Sequence, residues 1–175
     1  LRVEPGPIMD VYQEEEADNT SSRYQVATFA LGCFWGGELE YMREPGVVGT
    51  SVGYTHGDVE NPTYEQVCSG TTMHTEAINV VYDPEQVSYD RLVHLSMDRL
   101  EGNKYLPNQV GNDKGTQYRH GVYYHNALQK QVAEEIVGSF GPDCVTECLP
   151  AKKYGISEPG HQQSLLMSLI PHLRC

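Results

Sequence analysis

Several things are scarce in this chain, and each scarcity removes a class of function. No apolar run approaches the roughly 18 residues that a helix needs to cross a bilayer, which excludes a membrane-spanning helix. Basic charge is short as well: 12 Lys and Arg stand against 24 Asp and Glu, for a net charge of −12. There is no polybasic cluster and no interleaved basic-aromatic stripe, so a phosphate-tracking nucleic-acid partner is disfavoured. Cysteine is sparse and badly arranged for structure. The five cysteines (Cys33, Cys68, Cys144, Cys148 and Cys175) are odd in number, so at least one is unpaired within the chain. No C-x-x-C occurs, and Cys144 and Cys148, four apart, have no second Cys or His pair at ligand spacing. A disulfide framework does not suit a chain this long. His74, His120 and His161 lack metal spacing, and no motif for a flavin or a nicotinamide is found, so no cofactor is expected. The pattern fits a reducing compartment. Because the chain opens on Leu1 rather than Met, the expectation is the cytoplasm, or an organelle after removal of a targeting segment.

What is present describes one globular domain: 39% hydrophobic and 21% charged residues over 175 positions. Residues 1–22 carry Pro5, Pro7 and the run Glu14-Glu15-Glu16, and are expected to be an acidic lead-in without structure of its own. Residues 23–175 are expected to form the single domain. Tyr24–Leu31 reads as a half-buried strand ending at Gly32, and Trp35–Arg43 as a helix stopped by Pro45 and Gly46. Val47–Tyr54 and Thr75–Tyr82 read as strands. Ser88 is placed to cap a helix through Leu100, and Asn126 one through about Phe140. Arg119–His125 and Cys144–Leu149 read as the remaining strands. Between them, Gly102–Thr116 is a long run of turn formers, and a loop of that length usually has a function. Alternating elements predict helices packed on a mixed sheet.

The stretch Gly32-Cys33-Phe34-Trp35-Gly36-Gly37-Glu38 holds a cysteine, the sole tryptophan and three glycines. Two readings stand. Cys33 can be a core thiol before a glycine turn. Alternatively it is a nucleophile where a strand gives way to a helix, whose free N–H groups and dipole favour a thiolate. In that second reading the glycines let a substrate approach the backbone, and Phe34 and Trp35 line a small apolar pocket. Cys68 reads as half-buried packing, and His161 as solvated or hydrogen-bonded. Glu76, in the apolar-leaning strand Thr75–Val81, faces solvent by alternation or faces inward, where burial would raise its pKa and make it an acid.

Taken together, Gly32–Glu38, Val52-Gly53-Tyr54, Asn61-Pro62-Thr63-Tyr64, Val67-Cys68-Ser69-Gly70, His74-Thr75-Glu76, Gly111–Arg119 and His161-Gln162-Gln163 resemble methionine sulfoxide reductase A. The motifs span residues 24–163, in order. The resemblance implies an α+β fold, a two-layer α/β sandwich with helices packed on a ferredoxin-like mixed sheet and with long loops. It implies reduction of the S epimer of methionine sulfoxide, free or in proteins, through a sulfenic acid on Cys33. Phe34 and Trp35 would cradle the S-methyl group, Glu76 would donate the proton, and Tyr64 and Tyr118 would hydrogen-bond the sulfoxide oxygen, with Asp113 in the same hydrogen-bonded site. Thioredoxin or another dithiol would restore the enzyme, expected to be a monomer.

The tail departs from the family. Gly155 and Gly160 stand at positions that are commonly aromatic, which predicts a looser wall, and the segment after Gln163 lacks the usual glycine-rich pattern. Cys175 is the positional candidate for the resolving thiol, with Cys144 and Cys148 as second choices. Two rival readings remain open: a Cys-His thiol hydrolase, and a module that binds methionine sulfoxide but cannot recycle.

Overall fold

The structure is a computed structural model that describes residues 23–164. The acidic lead-in expected over residues 1–22 and the tail carrying Cys175 lie outside the described residues. Among the described residues eight strands are found: β1 (Gln25–Leu31), β2 (Val47–Thr55), β3 (Thr75–Tyr82), β4 (Gln109–Val110), β5 (Asp113–Lys114), β6 (His120–Tyr124), β7 (Glu147–Pro150) and β8 (Tyr154–Ile156). The described residues also hold four α-helices: α1 (Phe34–Met42), α2 (Tyr64–Cys68), α3 (Tyr89–Leu100) and α4 (Ala127–Ser139). Six strands form one sheet in the order β7-β6-β1-β3-β2-β8, antiparallel throughout except for β6 beside β7. The inner four strands, with α1 and α3 as crossovers, make the ferredoxin-like split βαβ arrangement. β4 and β5 form a separate ribbon.

The helices cover one face of the sheet. Phe29 and Leu31 of β1, Val52 and Tyr54 of β2, and Ile78 and Val80 of β3 meet Phe34 and Tyr41 of α1 and the apolar stripe of α3. Phe29 stacks on Tyr41 with centroids 4.9 Å apart. Each such side chain contributes about 1.5–3 kcal/mol when fully buried. A one-residue slip of β3 would lift Ile78 and Val80 out of this core and turn Glu76 to the other face. Core packing therefore aims Glu76.

The caps fall where the sequence predicts them. Ser88 Oγ accepts from Arg91 N, and Asn126 Oδ1 from Gln129 N. β1, expected to be half-buried, is buried on both faces. Its second face is covered because Thr28 Oγ1 donates to Asn79 Oδ1 at 2.6 Å and Tyr123 and Tyr154 pack over Ala30 and Ala77. The expected strand Cys144–Leu149 begins only at Glu147, since the chain is still turning at Cys144, whose N–H bonds Gly141 O. The expected loop Gly102–Thr116 contains the β4–β5 ribbon, and β8 and α2 arise without having been anticipated.

Candidate active site

β1 ends at Leu31, and Gly32 turns the chain with φ +75°, a left-handed backbone at which a Cβ would lie 2.6 Å from Val110 Cβ. Cys33 follows as the N-cap of α1, half-buried. The helix N-terminus acts on its thiol as expected, in that the N–H groups of Trp35 and Gly36 lower its pKa. They are outweighed. Burial, the largest influence, and the charges of Glu76 and Asp113 hold the thiol above its ordinary range. The glycines of this stretch meet the protein rather than open it to a ligand: a Cβ on Gly37 would lie 2.5 Å from Ile78 Cδ1, and one on Gly36 would strike the Arg99 guanidinium.

Glu76 lies on the helix-covered face of β3, directly across from Tyr54, and is 2% exposed. Among the described residues its one hydrogen bond comes from Phe34 N, which donates to Oε2 at 3.1 Å. Burial lifts the carboxyl to about 7; the Phe34 N–H opposes this and the Asp113 charge adds to it. Of the two orientations left open by alternation, the inward one is found.

Three aromatic positions complete the corner. Tyr118 ends a 3₁₀ turn (Thr116–Tyr118) and is pushed up to about 12, first by burial and then by the charges of Glu76, Asp113, Cys68 and Cys33. Tyr64 opens α2, where its hydroxyl pKa is raised chiefly by a hydrogen bond to Cys68 one turn along. Cys68 is half-buried, but as a partner of Tyr64 rather than as plain packing. Phe34 is a core residue at 2% exposure, its ring 6.0 Å from Tyr54. Trp35 is half-buried, and its Nε1 is buried without a partner among the described residues. Asp113 stands exposed on β5 and reaches Cys33, Glu76 and Tyr118 through charge, not through a hydrogen bond of its own.

His161, read from the residues as solvated or hydrogen-bonded and present in the motif His161-Gln162-Gln163, makes ring contacts that the sequence does not show. Its ring lies 4.4 Å from Tyr64, 5.7 Å from Phe34 and 5.8 Å from Trp35, stacked on the indole at 25°. Cys144 and Cys148 are half-buried against the helix-side core, and burial pushes the Cys148 thiol up to about 11. A cleft of about 370 Å³, lined by residues such as His56, His74 and Lys152, is separate from this corner and contains none of its groups. Among the described residues no cluster of His, Cys, Asp or Glu is arranged to hold a metal ion.

Comparison with known proteins identifies the family. A family model described as peptide methionine sulfoxide reductase matches residues 25–168. The chain is 45% identical over 159 residues to peptide methionine sulfoxide reductase A4, chloroplastic, of Arabidopsis thaliana, covering 89% of this chain and 61% of that protein. It is 43% identical to a peptide methionine sulfoxide reductase of Brassica napus, covering 94% and 65%. It thus spans less than two thirds of the length of these two relatives. Methionine sulfoxide reductase A of Corynebacterium diphtheriae superposes with a TM-score of 0.74 at 35% identity, over 89% of this chain and 79% of that one. Reduced Mxr1 of Saccharomyces cerevisiae superposes at 0.75 and 27% identity, over 90% and 92%. With a family model over residues 25–168 and relatives above 40% identity across most of its length, the chain belongs to the peptide methionine sulfoxide reductase family.

Proposed function

We propose that this protein reduces the S epimer of methionine sulfoxide to methionine, with Cys33 as nucleophile and Glu76 as proton donor. The observation that carries the reading is the Glu76 carboxyl, buried and lifted to about 7 beside the Cys33 thiol. A sulfoxide oxygen is a poor leaving group until protonated, and an acid that is still neutral near pH 7 can protonate it. The Cys33 thiolate attacks the sulfoxide sulfur while Glu76 gives its proton to the oxygen. Oxygen passes to Cys33 as a sulfenic acid, and methionine leaves, reduced by two electrons. Tyr64 and Tyr118, both held in their protonated form, donate to the oxygen as charge collects on it. Asp113 tunes the corner by charge, and Trp35, with Phe34 behind it, receives the S-methyl group.

A second thiol then attacks the sulfenic acid, releasing water and forming a disulfide that thioredoxin or another dithiol reduces. Cys175 is the first candidate for that thiol, ahead of Cys144 and Cys148, which core packing restrains. A reducing compartment follows from the need for the dithiol. The hydrolase reading is disfavoured because the groups that act most strongly on Cys33 are two backbone N–H groups and two carboxylates, with no histidine among them.

The test is one turnover without reductant. The reading expects one methionine per protein and a sulfenic acid on Cys33 that a dimedone probe traps, or a disulfide from Cys33 found by mass spectrometry. No consumption of the S epimer, or product with Cys33 unmodified, would sink it.

A further inference from the structure

Glu38 and the His161-Gln162-Gln163 motif perform no step in the reaction above, yet they are built into the same corner. The Gln162 side chain is fastened like an extra strand to β2: its Oε1 accepts from Val52 N at 2.9 Å, and its Nε2 donates to Val52 O at 2.8 Å and to Ser157 O at 3.1 Å. One residue on, Gln163 N donates at 2.7 Å to Oε2 of the buried Glu38, whose other oxygen accepts from Thr50. His161 is therefore placed by the anchors that follow it. Its ring closes the open side of Phe34, Trp35 and Tyr64. The contact is one of ring surface: His161 Nδ1 is buried with no partner among the described residues. Neighbouring Gly160 adds no bulk to this wall: a Cβ there would have no atom of the described residues within 4 Å.

We infer that His161 is a specificity-determining residue, the wall that packs on Trp35, Phe34 and Tyr64 and limits the alkyl group of the sulfoxide to methyl, with Gln162 and Glu38 as positioning residues that act through it. This rests on the function proposed above. A wall made of ring surface acts by size, so an aromatic ring of similar bulk should replace it and a small side chain should not.

The experiment compares kcat/KM for N-acetylmethionine sulfoxide and its S-ethyl homologue. The wild type should prefer methyl. His161→Ala should keep reducing the methyl substrate while its methyl-over-ethyl ratio falls about tenfold or more, the low end of what one methylene decides in an apolar pocket. His161→Phe should hold the wild-type ratio, and Gln162→Ala should move it in the direction of His161→Ala by a smaller factor. An unchanged ratio in His161→Ala with methyl turnover intact would overturn the wall alone. A wild type that reduces neither sulfoxide would overturn the proposed function, and the wall with it.

Discussion

The β1–α1 corner and the strap of residues 157–163 meet around the same aromatic rings but are stabilised in opposite ways. In the corner, a buried carboxyl has a single backbone donor and a thiol lies under two negative charges. The strap satisfies nearly everything it carries: Gln162 spends its whole amide on backbone and Ser157, and Gln163 N ends on Glu38. Glu38 is the counterpart of Glu76, both buried and both raised by burial, but Glu38 has two hydrogen bonds that oppose the rise. A carboxyl with fewer partners is more often neutral near pH 7, and so has a proton available to donate. In the proposed reaction, reactivity is a deficit of partners, and the strap supplies rigidity around that deficit.

The comparison breaks most completely at Cys33. Cys33→Ser should abolish reduction of the S epimer while leaving the fold unchanged, since the side chain makes no capping bond. Residual turnover in the purified variant, with a native circular dichroism spectrum, would move the nucleophile elsewhere.

Glu76→Gln should slow sulfenic acid formation by about 10²–10⁴-fold, the usual worth of a general acid, because the amide keeps the shape but has no proton to give. The pH profile sharpens this. The reactive pair holds one proton between Glu76, at about 7, and the Cys33 thiol, raised above its ordinary value. Below pH 7 both groups are protonated, and the wild-type single-turnover rate should fall about tenfold per pH unit. Above the thiol's pKa the last proton is gone and the rate should fall again. Glu76→Gln should have no limb near 7 and should climb with pH up to the thiol's own titration. A Gln variant that keeps the limb near 7 would assign that proton to another group.

The same deficit destabilises the fold. Glu76 titrates near 7 when folded against an ordinary 4.5, so between those values the native state holds a proton that the unfolded chain releases. Stability must therefore fall as pH rises through that window. Glu76→Gln, which can still accept from Phe34 N, should gain up to about 3 kcal/mol over wild type at pH 8 and nothing at pH 4. Urea denaturation at the two pH values measures it, and an equal difference at both would remove the buried charge as the cause.

Glu38 tests the other half. Glu38→Ala should cost about 1–3 kcal/mol, the worth of the two hydrogen bonds it takes from half-buried Thr50 and from the backbone of exposed Gln163. It should act on single turnover only through the strap, far less than Glu76→Gln does. A loss of rate as large as that of Glu76→Gln would dissolve the distinction between the two regions.

How much of this was legible follows the same division. Local chemistry was readable: Ser88 and Asn126 cap the helices they precede, and β3 runs from Thr75 to Tyr82 as its alternation predicts. Short pieces were not. β8 is three residues with Gly155 at its centre, too brief for a period to show. α2 is brief too, but it had a signal: Thr63 and Gln66 form a reciprocal capping box that can be read from their spacing. The orientation of Glu76 could not be decided by alternation, because β3 is buried on both faces and its pattern carries no solvent side. The motif around His161 was visible, but its ring contacts were not, for another reason. Its surroundings come from elements more than a hundred positions earlier in the case of Phe34 and Trp35, and no local rule marks a histidine for ring contact.

The smallest effect is expected at Glu158, where strap and corner touch. Its Oε2 accepts from Tyr54 OH at 3.0 Å and its Oε1 from Tyr64 N at 2.8 Å, so one exposed carboxylate ties the start of the strap to the first residue of α2. Glu158→Gln keeps one acceptor oxygen and loses the charge. Thr63 still caps α2, and solvent can satisfy what is released, so the cost in stability should stay below about 1 kcal/mol. Tyr64 is the group through which such a change would reach the chemistry, and its hydroxyl is held from the other side by Cys68. Single-turnover rates should therefore change only a few-fold, in the direction of slower oxygen protonation. If Glu158→Gln instead lowered the rate as far as Glu76→Gln, Tyr64 would depend on the strap for its placement, and the corner would not stand on its own elements.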